Sequence, residues 1–211
     1  EEWASVTQRA MSCLMTGGGI GVDVSVARPS GRQLRRTGGV ASGPIPLLYT
    51  LNEVGRNVMQ GGSRRSALYG CMNWQHEDIW DFMTMKNWHD IPIQGAFKED
   101  GSPFTVADAK MNDFNYKAPL DQMNISINYD DAWLNNMDHP VFETNVRQAM
   151  MTGEPGFSFN FGEKQNETLR NACTEITSED DSDVCNLGSI NMANIDTIER
   201  FREVVNVASK F

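Results

Sequence analysis

Asn124-Ile125-Ser126-Ile127-Asn128 and Phe157-Ser158-Phe159-Asn160-Phe161 each alternate polar with apolar residues, and two helical patterns lie between them. Side chains in an extended strand point to opposite faces in turn, so a period of two reads as a strand with one buried face. After the first run, Asp130 is a suitable N-cap for a helix through Met137, and Val141–Thr152 is a longer helical pattern. Gly153-Glu154-Pro155-Gly156 then turns the chain into the second run. Strand, helix, strand is the signature of a crossover between parallel strands, because parallel neighbours need a long connection. The fold class is therefore α/β.

The N-terminal half repeats the pattern. Residues 3–16 read as a helix stopped by Gly17-Gly18-Gly19, and Gly21 to Ala27 alternates as a half-buried strand. Arg28-Pro29-Ser30-Gly31 is turn chemistry, followed by a polar, Gly-rich loop from Arg32 to Pro44. An amphipathic helix over 45–60 ends at Gly61-Gly62, and Ser63-Arg64-Arg65 makes a short basic loop. Ala67 to Met72 reads as a strand and His76 to Lys86 as a helix. Residues 87–122 read as irregular and polar, with weak strand potential at Ile91–Phe97. The chain opens and closes inside helical patterns, which predicts that 1–211 is an internal piece of a longer polypeptide.

Bulk properties exclude several function classes. A net charge of −10, a pI near 4.7 and no basic run argue against direct nucleic-acid contact. No apolar run approaches the roughly 18 residues that span a bilayer. Cys13, Cys71, Cys173 and Cys185 are scattered, with no CxxC pair for a zinc site. Such thiols without an export signal predict a reducing, cytoplasmic setting. His76 and His89 lack metal-ligand partners at suitable spacing and read as structural. The run Glu179-Asp180-Asp181-Ser182-Asp183 lacks the glycine and alternation of a calcium loop and reads as solvated.

The chemistry concentrates in Asn171-Ala172-Cys173-Thr174-Glu175, with a further thiol at Cys185. An amide, a thiol and a carboxylate stand at alternating positions. In an extended or looped backbone such positions are expected to point the same way, so that one face carries all three. Cys13 and Cys71 read as packing residues, since free cysteine is commonly buried.

Several blocks, in order, resemble the ribonucleotide reductase catalytic subunit. They are Gly17-Gly18-Gly19-Ile20-Gly21-Val22 with Arg28-Pro29, Thr37 to Pro44, Gln60 to Ala67, and Trp74 with His76-Glu77-Asp78-Ile79. Asn124 to Ile127, Thr152 to Gly156, Asn171-x-Cys173-x-Glu175 and Cys185-Asn186-Leu187-Gly188-Ser189-Ile190-Asn191 continue the series. Gly17–Pro29 and Thr37–Pro44 are most similar to the adenosylcobalamin-dependent branch. The alternative branch takes its radical from a separate di-iron subunit.

The resemblance implies part of a ten-stranded α/β barrel, with the N-terminal part and C-terminal tail of the catalytic domain outside 1–211. It implies that Cys173 carries a thiyl radical, that Glu175 accepts the 3′-OH proton, and that Asn171 holds the substrate hydroxyls. Cys185 becomes half of a reducing dithiol whose partner lies before residue 1. Gly18 and Gly19 would let the backbone approach the substrate, a ribonucleoside diphosphate or triphosphate. The loops Arg32–Gly43 and Gly61–Ala67 would take an allosteric nucleotide, with Arg28, Arg64 and Arg65 as its contacts. A thioredoxin-like reductant and a homodimer complete the implied partners. Two rival readings need no radical. A nucleotide-binding regulator would use the arginine loops alone, and a thiol redox sensor would form a Cys173–Cys185 disulfide without nucleotide.

Overall fold

The computed structural model describes residues 2–58, 65–178, 183, 185, 187–210. Residues 1–181 form one compact unit and 182–211 a second. In the first unit the helices are α1 (Glu2–Met15), α2 (Ile45–Asn57), α3 (Ile79–Thr84), α4 (Val106–Asn112), α5 (Asp131–Leu134) and α6 (Pro140–Thr152). The strands are β1 (Gly19–Asp23), β2 (Ala67–Asn73), β3 (Pro92–Phe97), β4 (Pro103–Thr105), β5 (Met123–Tyr129) and β6 (Gly156–Phe159). The second unit carries α7 (Ile198–Ala208), whose N-cap Thr197 accepts a hydrogen bond from the Arg200 N–H.

Four strands make one parallel sheet in the order β1-β2-β5-β6. Each new strand adds to the same edge, so the order never reverses. The helical connections α2 and α6 supply the crossovers expected from the strand–helix–strand pattern. β3 and β4 form a separate antiparallel hairpin inserted between β2 and β5.

The two faces of this sheet differ. Leu68 and Met72 of β2, Met123, Ile125 and Ile127 of β5, and Val22 of β1 pack into one apolar cluster with Leu47, Leu48 and Leu51 of α2. The register places the intervening residues on the opposite face: Gly21 beside Tyr69, Cys71 beside Ser126, and Asn128 beside Ser158. Parallel sheets usually read as continuous apolar runs because helices cover both faces. The alternation in β5 shows that one face here meets something polar.

Local chemistry explains where elements stop. The strand expected over Gly21–Ala27 ends at Asp23. The Asp23 carboxylate accepts hydrogen bonds from the Ser25 N–H at 2.9 Å and from the Ser25 hydroxyl, an Asx-type turn that bends the chain. Val26 is consequently exposed. The helix expected from His76 starts at Ile79, because the His76 ring is engaged with the backbone. The Asp78 N–H donates to its Nδ1, and Nε2 lies 3.0 Å from the Ala27 carbonyl. The first helix after β5 runs only to Leu134, with Asp130 as its N-cap. Burial opposes ionisation of the Asp130 carboxyl, but donors from Trp74 and Asn73 outweigh it and lower its pKa.

Residues 87–122, expected to be irregular, contain the β3–β4 hairpin and α4. Thr105 and Asp108 form a capping box that starts α4. The strand potential at Ile91–Phe97 is realised as β3.

A buried carboxylate ties this insertion to α2. Asp121 pairs with Arg56 at 2.7 Å and with Lys110 at 3.0 Å. Burial alone would raise its pKa, yet these donors bring it down to about 2. An unfolded aspartate titrates near 3.9. The stabilisation is therefore complete above about pH 4 and disappears as pH falls toward 2. Asp121→Asn is expected to lower stability at pH 7 by about 2 kcal/mol, since it removes the carboxylate shared by Arg56 and Lys110 while Arg56 keeps Glu53 and Lys110 keeps the Tyr116 carbonyl. Urea unfolding at pH 7 and pH 3 checks both the loss and its smaller size in acid.

Candidate functional site

The polar face of the sheet is covered by the chain that follows β6. The Asn124 side chain donates to the Ala172 carbonyl at 2.5 Å, and the Cys71 thiol lies 3.4 Å from the Thr168 carbonyl. A Cβ on Gly21 would lie 2.7 Å from the Arg170 carbonyl oxygen. The absence of a side chain there lets the segment rest directly on β1. Glycine inside a strand often marks such a backbone approach.

Cys173 occupies the tip of a turn in this segment. The Thr174 N–H donates to the Asn171 carbonyl at 3.0 Å, and the Ile176 N–H donates to the Asn171 side-chain oxygen at 3.2 Å. Arg170 and Thr177 pair as an isolated antiparallel bridge. Thr174 has φ +74, a left-handed conformation that a β-branched residue rarely adopts. The backbone is thus folded over 171–175 rather than extended, and strand alternation does not set the directions of Asn171, Cys173 and Glu175. Cys173 and Glu175 are exposed and Asn171 is half-buried.

Arg170 escaped the sequence reading. Its guanidinium donates to the Ser158 hydroxyl at 2.8 Å, to the Asn160 side-chain oxygen at 2.9 Å and to the Thr174 carbonyl at 3.3 Å. Ser158 and Asn160 are buried at the end of β6. No spacing rule announces this role, because its partners come from a strand and from the far side of the turn.

The glycine-rich turn is explained by packing. Gly17 has φ +96 and caps α1, with the Gly17 N–H donating to the Leu14 carbonyl and the Gly18 N–H to the Cys13 carbonyl. A Cβ on Gly18 would meet the Cys13 sulfur at 2.5 Å, and one on Gly19 would meet Ala67 at 3.2 Å. The Cys13 thiol itself donates to the Gly19 carbonyl.

Cys71 is fully buried. Burial, and then the Asp23 carboxylate, pushes its thiol pKa well up and keeps it protonated. Tyr69 beside it is likewise raised, chiefly by burial. Cys173 and Cys71 are therefore contrasting thiols, one exposed on the turn and one sealed beneath it.

A cleft of about 160 Å³ opens where β2 and β5 begin, and Ala172 forms part of its wall. Arg65 also lines it, with its guanidinium 4.1 Å from the centre of the Phe114 ring and a 2.6 Å hydrogen bond to Asn115. Arg28 is exposed in the loop after β1. Within the other glycine-rich loop, Arg32 pairs with Glu77, and the Leu34 N–H donates to the Gly39 carbonyl. Arg64, most of the Gly61–Ala67 loop's glycine end and the acidic run's residues 179–182 lie outside the described residues. Cys185, in the second unit, is half-buried. Among the described residues, no group of three His, Cys, Asp or Glu side chains is placed to hold a metal ion. No helix among them is long and apolar enough to cross a membrane.

A four-stranded parallel sheet whose polar face seats a turn presenting an exposed thiol places the chain among cysteine-bearing α/β proteins. The chain belongs to the ribonucleotide reductase barrel-domain family, whose profile matches residues 4–132 and 99–211. Among relatives, it is 27% identical over 213 residues to the vitamin B12-dependent ribonucleoside-diphosphate reductase of Thermoplasma acidophilum, covering 93% of this chain and 26% of that protein. It is 27% identical over 230 residues to the enzyme of the same name from Mycobacterium tuberculosis, covering 92% of this chain and 29% of the relative. It is also 27% identical over 230 residues to the ribonucleoside-diphosphate reductase large subunit of Danio rerio, covering 92% of this chain and 28% of the relative. The chain thus spans between a quarter and three tenths of these proteins.

Proposed function

We propose that this chain is the thiyl-bearing part of a ribonucleotide reductase that replaces the ribose 2′-OH with hydrogen, supplying DNA precursors. The observation that carries the reading is an exposed cysteine on a turn seated across the polar sheet face, in a chain matched along its length by the reductase barrel family. The sheet order β1-β2-β5-β6, which grows at one edge without reversal, supports placing it in a ten-stranded barrel. In that reading residues 1–211 are an internal piece of the catalytic domain.

The Cys173 sulfur, relieved of its hydrogen, takes the 3′-hydrogen of the bound ribose, since S–H and sugar C–H bonds are of similar strength. Glu175 accepts the 3′-OH proton and must come within roughly 2.6–3.2 Å of that hydroxyl. Asn171 holds the hydroxyls with its donor and acceptor. Water leaves from C2′, and a dithiol that includes Cys185 delivers two electrons and two protons as it closes to a disulfide. Cys173 then returns hydrogen to C3′. The sum is ribonucleotide plus dithiol giving deoxyribonucleotide, disulfide and water. A thioredoxin-like protein restores the dithiol.

Adenosylcobalamin, when bound, supplies the one-electron oxidant that no side chain provides. Cys173 suits such a group because its sulfur is exposed and reachable from outside the sheet. The alternative is a radical from a separate di-iron subunit. Identity is 27% to relatives named for vitamin B12 and 27% to a large subunit, and the likeness of Gly17–Pro29 and Thr37–Pro44 to the cobalamin branch supports the first. Gly18 and Gly19 line the substrate approach. Arg28, Arg64 and Arg65 meet an allosteric nucleotide, whose phosphate or base acceptors suit guanidinium groups.

The test is deoxyribonucleotide formation by the full-length parent protein, with and without adenosylcobalamin. Dependence on the cofactor supports the reading. Activity only with a di-iron subunit transfers the protein to the other branch. No reduction under either condition removes the function.

A further inference from the structure

We propose that Arg170 is the positioning residue of the Cys173 turn, a role that rests on the reductase reading for its effect on rate. Its fork spans the two supports of the turn. Two donors hold the end of β6 through Ser158 and Asn160, both almost fully buried, and a third holds the Thr174 carbonyl. Thr174 lies between the thiol and the carboxylate and carries the unfavourable φ of +74. A non-glycine residue in this region is strained and persists only where surrounding contacts hold it. The donor from Arg170 to the Thr174 carbonyl and the Thr174 N–H bond to Asn171 are those contacts on its two peptide groups. Arg170 thereby selects the backbone conformation that aims Cys173 and Glu175, without touching the substrate.

Lysine cannot replace it. A single ammonium on a flexible stem lacks the planar fork that reaches the strand and the turn together.

The experiment uses the full-length protein and the variants Arg170→Met, Arg170→Lys and Arg170→Met combined with Thr174→Gly. Hydrogen exchange at the Thr174 and Ile176 amides reports the turn without any substrate. Arg170→Met is expected to speed exchange there by about 10-fold or more while β5 amides stay protected. Steady-state kinetics are expected to show kcat reduced on the order of 10- to 100-fold with KM changed less than about 3-fold, because misaligned groups slow chemistry more than binding. Arg170→Lys, which keeps the charge, shows the same split. Adding Thr174→Gly to Arg170→Met recovers about 5-fold or more of the lost kcat, since glycine adopts positive φ without strain. Unchanged exchange at 174 and 176 in both Arg170 variants overturns the proposal, as does a kcat loss that glycine at 174 leaves untouched. A full-length protein that reduces no ribonucleotide removes the functional reading instead, and the exchange result still decides whether Arg170 holds the turn.

Discussion

Cys173→Ser in the full-length protein is expected to abolish deoxyribonucleotide formation while leaving ribonucleotide binding within about 3-fold of the parent, because the substitution removes a step and not a contact. Serine preserves size and a polar hydrogen. Its O–H bond is much stronger than a sugar C–H bond, so it does not become a hydrogen-abstracting radical under the same oxidant. The side chain is exposed, so the fold bears little cost, within about 0.5 kcal/mol. Product formation and equilibrium binding measured on one preparation separate the two effects. Retained deoxyribonucleotide formation would remove Cys173 from the radical step, whereas nucleotide binding without reduction in both parent and variant would transfer the protein to the nucleotide-binding regulators, which need no thiol.

Gly21→Ala carries the second large effect. The new methyl would stand 2.7 Å from the Arg170 carbonyl and 3.4 Å from the Tyr69 ring. The closer atom is backbone, so no rotamer change relieves the clash. The segment must lift from β1, straining the bond from Asn124 to Ala172 and the fork of Arg170. We expect about 1–3 kcal/mol of destabilisation from overpacking. Activity should fall on the order of 100-fold, since a displacement of about 1 Å is enough to misplace reacting groups. Chemical denaturation and the reductase assay measure these separately. A variant with lost stability but full activity would show that the segment need not sit on the sheet.

Both expectations depend on features that differ in how visible they are from the chain alone. The alternation in Asn124–Asn128 already required a strand with one polar face, and the caps at Asp130 and Thr105 were present as side-chain types at fixed offsets. The Thr105 box stands in a stretch, residues 87–122, that lacks strong apolar periodicity, so nothing in the pattern marks a helix after it. Asp23 and Ser25 ended β1 early through a side-chain to backbone bond, which competes locally with the strand ladder. Gly21 did carry a signal as a glycine inside a strand pattern, but only the partner distance reveals that Arg170 is what approaches.

From residue order alone follow the α/β class and the parallel crossovers, which rest on short-range periodicity, while the nomination of Asn171, Cys173, Glu175 and Cys185 rests on the resemblance of ordered sequence blocks to the reductase family. Tertiary structure decided that the polar sheet face is the seat of the cysteine turn, that this turn is folded rather than extended, and that Arg170 braces it. The physical reason is range. Periodicity records which side of a strand is wet or dry, whereas a backbone contact between β1 and a segment some 150 residues later is set by packing in three dimensions and leaves no repeating mark in the chain.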